Sequence, residues 1–397
     1  MMRRVYTGTG YITLWALLAI WSVSALTSLP GLAVSPISDD LLKVFPGSTE
    51  LDIQMLTTLP SLLIIPFILL AGYKIERVGY MRQLVIGLWM FLVCGALYFV
   101  CGSMGELIAV SALLGVGAGI IVPLSTVLVS KFFTGEERTR QFGYVSAITN
   151  IALVVATALT GWLADIQWRL PFVVYLLPIV SIALLPALGR AARFTGRENG
   201  TTVQACDGSF SHTRLVKYML YYLFITFLVM AVSIYLPFLL GNNGYDSGVS
   251  GVVTSVFFLA MMAPGLFINR IVELLKHNIL LWALLMMCVG LLGIYLDSSL
   301  ASVVIGCIIA GFGYGMAQPY IYDKVSSGVP ASKVSVSLAL VMTMNYVAIV
   351  ISPFVIEFLL RILGKGGNAE PFLLNAVLAL AGMVLLMIVR VVEKMKG

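Results

Sequence analysis

The sequence predicts an all-α integral membrane protein of twelve transmembrane helices, and two observations carry that expectation. Of the 397 residues, 60% are hydrophobic and only 11% are charged, with a mean hydropathy of +1.02, a balance that no water-soluble domain of ordinary composition shows. The apolar residues also fall in long continuous runs. A helix needs about 20 of them to cross a hydrocarbon core, whereas a closed barrel reads as alternating segments of about ten. Helices are expected at 9–34, 49–73, 80–100, 105–130, 140–164, 170–188, 213–240, 248–268, 278–296, 299–322, 334–358 and 371–391. The long polar segment 189–212 divides them six and six. The expected units are a six-helix bundle over 1–188, a cytoplasmic linker and a second bundle over 213–397.

Charge gives the orientation. With a cytoplasmic N-terminus, only Lys43, Arg169, Arg361 and Lys365 of the 24 Lys and Arg lie on the outer side, which is the positive-inside pattern and puts both termini in the cytoplasm. The net charge of +6 and pI near 9.0 are then topology, and nucleic acid is not expected as a partner. The apolar run after Arg3 and Arg4 is about 25 residues long without a small-residue cleavage site, so it reads as a retained first helix. The cysteines Cys94, Cys101, Cys206, Cys288 and Cys307 show neither a disulfide framework nor zinc spacing, since Cys94 and Cys101 would stand about 10 Å apart on one helix.

The charged island from Gly72 to Gln83 separates two apolar runs and reads as a short loop that leaves the membrane and re-enters it. Its Gly72, Glu76, Arg77 and Gly79 resemble the loop between helices 2 and 3 of the major facilitator superfamily, with Glu76 for the usual Asp and the following basic pair reduced to Arg82. Three more stretches resemble that family's first half in the same order: Leu29-Pro30-Gly31-Leu32, Lys131 to Arg138, and Trp168-Arg169-Leu170-Pro171-Phe172. On these residues the chain is identified as a member of the superfamily, drug-antiporter-like branch. The resemblance implies a multi-pass protein of the plasma (cytoplasmic) membrane, a secondary transporter working by alternating access between two bundles. The expected partners are a small-molecule substrate and the lipid bilayer, with protons as a candidate coupling ion, for a monomeric chain without cofactor or metal. Two departures, Ser111 where an Arg is usual and Ala156 to Gly161 where a Gly-Pro pair is usual, weaken the expectation of proton-coupled drug export.

Taken in order, the first helix carries Trp21, Ser24 and Ser28 on one face. Two readings stand, a helix-packing seam or a substrate-facing stripe. The fourth helix has Gly115, Gly117 and Gly119, which cannot all face one way, so neighbours must approach it on more than one side. The linker reads as solvated, with its basic side near anionic lipid heads. In the seventh helix Tyr218 and Tyr221 read as interfacial aromatics, while Tyr222 and Thr226 lie deeper. Asn269, Arg270, Lys276 and His277 read as the loop that answers the 72–83 loop in the second half. The tenth helix places Tyr314, Gln318 and Tyr322 on one face, and an amide facing lipid would lack partners, so that stripe is expected to face a helix or a cavity. Asn150 in the fifth helix and Asn345 and Tyr346 in the eleventh reach a similar depth.

No nucleophile with its base, metal cluster or intramembrane acid pair is visible, so an enzyme is not expected. A small, neutral or weakly polar organic solute is the expected substrate, moved through a site at mid-membrane formed by Trp21, Ser24, Ser28, Asn150, Tyr222, Thr226, Tyr314, Gln318, Asn345 and Tyr346. Multidrug or metabolite efflux coupled to protons is the alternative, and a non-transporting receptor the remote one. The acids nearest the membrane are Asp52 and Glu357. In the family the 72–83 loop is a cytoplasmic latch. The resemblance implies that Glu76 faces the start of the eleventh helix, capped by Ser332, and that Arg77 reaches Glu136, Glu137 or Asp323, with Gly72, Gly79 and Arg82 shaping the loop.

Overall fold

The computed structural model describes residues 4–30, 33–34, 37, 41, 44–48, 50–198, 212–245, 247–297, 299–364 and 367–396. It opens with a β-hairpin, β1 (Arg4–Tyr6) paired antiparallel with β2 (Tyr11–Thr13). The helices are α1 (Leu14–Ala25, extended by the 3-10 turn Leu26–Ser28), α2 (Glu50–Val78), α3 (Tyr80–Leu97), α4 (Met104–Phe132) and α5 (Gly135–Ile166). A 3-10 segment Leu170–Leu176 leads into α6 (Pro178–Glu198), followed by α7 (His212–Asn242), α8 (Ser247–Leu266), α9 (Ile268–Leu275) and α10 (Ile279–Leu296). The chain ends with α11 (Leu300–Ser327), α12 (Val334–Ile362) and α13 (Glu370–Lys396).

Among the described residues, eleven helical stretches are long and apolar enough to cross a membrane, and Leu14–Ser28 is a shorter apolar one. The first helix is thus shorter than the expected 9–34. Thr7 to Gly10 close a tight turn, with Gly8 at φ +98, a left-handed conformation favouring glycine. Thr13 then caps α1, its hydroxyl accepting from the Ala16 N–H at 3.3 Å. Helix α5 begins five residues earlier than expected because Glu136 and Glu137 occupy its first turn, where carboxylates favour the helix dipole. Helix α6 runs ten residues into the expected linker, of which 199–211 lie outside the described residues. The expected loop at 269–277 holds α9, with Ile268, Ile271, Val272 and Leu275 at helical spacing. Before α11 the Asp297 carboxylate accepts from the N–H and hydroxyl of Ser299, which hold its pKa below the ordinary value.

By packing, the chain forms two compact units, Met1–Leu215 with Tyr322–Tyr346, and Val216–Ile321 with Val347–Gly397. In the first, α4 is approached on two sides, as its glycines require. A Cβ on Gly115 would lie 2.6 Å from the Pro60 backbone of α2, one on Gly119 2.7 Å from Phe67 Cβ, and one on Gly117 3.1 Å from the Phe91 N of α3. Gly72 of α2 lies equally tight against Ala339 of α12. In the second unit α11 repeats the pattern. Gly311 and Gly315 admit Phe257 and Met261 of α8, while Gly313 admits the Ala283 carbonyl of α10 at 2.7 Å. The sequences Gly115-x-Gly117-x-Gly119-x-x-x-Pro123 and Gly311-x-Gly313-x-Gly315-x-x-x-Pro319 have one spacing, so each unit is built on the same glycine-faced helix. A core of Phe227, Ala231, Ala348, Ile356 and Leu360 joins α7 to α12.

Gly115→Val should lower the unfolding midpoint of the detergent-solubilised protein, by about 1–3 kcal/mol of overpacking strain. Gly161→Val, with nothing within 4 Å of its Cβ position, should leave it unchanged. Equal midpoints for the two variants would show that α2 and α4 do not meet this closely.

Candidate functional site

In the second unit α11 meets α7 through a hydroxyl and amide network. The Gln318 Nε2 donates to the Tyr222 hydroxyl at 2.9 Å. The Tyr314 hydroxyl lies 3.5 Å from those of both Tyr222 and Thr226. Tyr222, Thr226 and Tyr314 are buried and Gln318 is half-buried. Of the predicted stripe, Tyr314 and Gln318 thus meet at Tyr222 in a neutral network, whereas Tyr322 meets Phe142. Hydroxyls both donate and accept, so the network can rearrange its donors around a bound polar group without moving a charge.

In the first unit Trp21, Ser24, Ser28 and Asn150 lie on α1 and α5, and Asn345 and Tyr346 on α12. Trp21 Nε1 donates to Gln141 Oε1 at 3.1 Å, and its ring meets Tyr144 edge-on at 6.0 Å. The Arg140 guanidinium lies 5.8 Å from the Tyr144 ring centre and bonds Glu137 at 3.0 Å. Ser24 is fully buried and donates to Ile20 O on its own helix, whereas Ser28 donates across to Thr149 O at 3.3 Å. Asn150 donates to Ser146 O at 2.8 Å. Tyr346 of α12 reaches the Thr27 carbonyl at 3.2 Å, and Asn345 beside it is half-buried. Ser24 and Ser28 thus both donate to backbone carbonyls, one on α1 and one on α5.

The expected gating residues lie around the turn from α2 to α3, the start of α5, the last turns of α11 and the turn before α12. Asp323 of α11 accepts from Arg138 Nε at 3.1 Å, both half-buried at 13% and 17% side-chain exposure. Arg77 is engaged with Tyr73 one turn away, bonding its hydroxyl at 3.1 Å with the guanidinium 5.2 Å from the ring centre. Asp323 is thus paired with Arg138, which projects from the first turn of α5. Next to it Phe142 meets Tyr322 at 5.9 Å. Glu137 is paired with Arg140, Glu136 and Arg82 are exposed, and the side chain of Glu76 lies outside the described residues. Gly79 has φ +86 with nothing near its Cβ position, so its glycine serves the turn alone. Ser332 is exposed in the 3-10 turn Ala331–Lys333 that leads into α12.

Sequence reasoning missed Arg138, Arg140, Gln141, Tyr144 and Thr149. The signal was present as the spacing of 137, 140, 141 and 144, hidden by starting that helix at residue 140. Ser111, noted for the missing Arg, is buried and shares a hydrogen with the Tyr98 hydroxyl, while Tyr98 stacks on Phe172 at 4.3 Å. That position is thus closed by a neutral pair.

These features define an integral membrane protein of many spans, built twice around a glycine-faced helix and carrying a neutral polar network. The chain belongs to the Major Facilitator Superfamily, whose family model matches residues 12–353 and 218–396. It is similar to the multidrug transporter protein MdtP of Bacillus subtilis (strain 168), 32% identical over 128 residues, 32% of this chain and 23% of MdtP. It is also similar to the quinolone resistance protein NorA of Staphylococcus aureus, 27% identical over 129 residues, 32% of each chain. The chain thus spans less than half the length of these relatives. In fold it is similar to the human organic anion transporter MFSD10 (TETRAN), with a TM-score of 0.70 over 94% of this chain and 97% of that one at 16% identity.

Arg138→Ala and Asp323→Ala should each lower the unfolding midpoint, since each leaves a half-buried charge alone, and the double variant should recover part of the loss. The expected coupling is about 0.5–1 kcal/mol, discounted for partial exposure. Strict additivity of the two losses would show that the pair contributes nothing.

Proposed function

We propose that this protein is a secondary transporter that moves a small, neutral or weakly polar organic solute by alternating access. The observation that carries the reading is the network of Tyr222, Thr226, Tyr314 and Gln318, which offers donors and acceptors at the level of the glycine-faced helix without a charge of its own. A charged substrate would need a compensating side chain at that depth, because leaving an ion unpaired in a low-dielectric interior is costly. Tyr222, Thr226, Tyr314 and Gln318 are assigned as substrate contacts from α7 and α11. Trp21, Asn150, Asn345 and Tyr346 are assigned as those from α1, α5 and α12. The twelve helices, with Leu14–Ser28 in the first, then divide into bundles over 1–188 and 213–397 with both termini cytoplasmic, and the chain works as a monomer.

The gate we assign to the Arg138–Asp323 pair, with the Gly72 to Arg82 turn holding α2 close to the start of α12. Parting a half-buried pair worth about 1 kcal/mol shifts a near-balanced equilibrium roughly fivefold, enough to bias a cycle without stopping it. A second reading, efflux of amphipathic drugs coupled to protons, is favoured by the similarity to MdtP and NorA, and it would route protons through acids at helix ends such as Asp52 and Glu357.

Gln318→Ala should leave the amount of protein in the membrane unchanged and weaken solute transport into proteoliposomes about 2- to 10-fold, the value of one buried hydrogen bond. Tyr218→Phe and Tyr221→Phe, near the start of α7, should transport normally. Normal transport by Gln318→Ala with loss in the Tyr218 or Tyr221 variants would place the substrate contacts at another depth.

A further inference from the structure

We infer that the N-terminal hairpin is a membrane-surface anchor that binds the anionic headgroup layer of the leaflet beside it. The two-stranded register pairs Arg4 with Thr13, Val5 with Ile12 and Tyr6 with Tyr11. Alternation along each strand then separates two faces. Val5 and Ile12 turn inward, with Ile12 buried, while Arg4, Tyr6 and Tyr11 share the outer face. Tyr6 is 49% exposed, Tyr11 66% and Trp15, in the first turn of α1, 54%. The two tyrosine rings pack at 5.6 Å. A short hairpin is marginal by itself, and this one is held from beneath. Thr7 is buried, its carbonyl accepts from the Thr134 N–H at 2.9 Å, and Gly8 lies so close to Thr134 that a Cβ would come within 2.6 Å of its carbonyl oxygen.

Two features select the headgroup layer as occupant. The hairpin runs without a break into the apolar α1, so its outer face lies where the helix meets the membrane surface, the zone in which Tyr and Trp are enriched. The same end of the unit, where α2 turns into α3 and α4 into α5, carries further pairs of a base on an aromatic ring: Arg77 on Tyr73 at 5.2 Å and Lys131 on Tyr80 at 5.4 Å. Arg4 with Tyr6 and Tyr11 continues that belt. Bases there are drawn to anionic lipid within a Debye length, and the rings supply the interfacial contact. Because the hairpin grips the Thr134–Gly135 turn that starts α5, lipid binding would also steady the helix that carries Arg138.

The test is hydroxyl-radical footprinting of the full-length protein in lipid nanodiscs, read by mass spectrometry at Tyr6 and Tyr11. Oxidation of both should be several-fold slower in discs containing phosphatidylglycerol than in discs of phosphatidylcholine alone. Arg4→Gln, an exposed position that the fold does not need, should remove the difference. Gly8→Val, which displaces the hairpin from Thr134, should restore fast oxidation in either lipid. Oxidation rates in the wild-type protein that do not depend on lipid composition would overturn the assignment.

Discussion

Close backbone approach at glycine is the constraint on which the structure depends. Inside hydrocarbon there is no water to satisfy peptide groups, so the chain must be helical, and the hydrophobic effect that drives soluble cores is absent between helices. What remains is dispersion over closely packed surfaces and hydrogen bonds between helices. Gly115, Gly117 and Gly119 let α2 and α3 reach the backbone of α4, and Gly311, Gly313 and Gly315 let α8 and α10 reach that of α11. The Tyr314 and Gln318 hydrogen-bonding groups of α11 are directed to Tyr222 of α7.

Charge is kept to helix ends and used there in pairs. Arg138 and Asp323 face one another at the start of α5 and near the end of α11, and Arg140 pairs with Glu137 at the same end of α5. Arg77, the basic residue of the family-like turn, stacks instead on Tyr73 of its own helix. An Asp at position 76 is replaced by the longer Glu76, and the neighbouring device on α5 supplies the cross-helix ion pair. The substitution at Ser111 follows the same economy: where a charge is usual in drug antiporters, a Tyr98 and Ser111 pair is sealed under the Phe172 ring.

Much of this was legible from sequence because hydrocarbon imposes simple rules. Hydropathy and length give the helices, and the three glycines at two-residue spacing correctly imply approach from two sides. The Tyr314 and Gln318 stripe was found because an amide in a long apolar segment needs partners. The hairpin was not found, since six residues of strand flanking Thr7 to Gly10 look like the start of an apolar run, and its stability comes from Thr134, far away in sequence. Arg138 was missed as the partner of Asp323 because an ion pair between α5 and α11 depends on tertiary placement that no local pattern encodes. The spacing shared by the two glycine-rich helices was present in the sequence, and it gains meaning once α4 and α11 are seen packing alike.

The central claim, that an uncharged polar network serves solute transport, is tested most directly by counterflow in proteoliposomes carrying the purified protein. Vesicles are loaded with a mixture of neutral metabolites and the same labelled compounds are added outside. The account predicts transient accumulation of at least one neutral, hydroxyl-bearing solute above the level of protein-free vesicles. Accumulation confined to permanently charged compounds, with every neutral solute matching the protein-free vesicles, would contradict it.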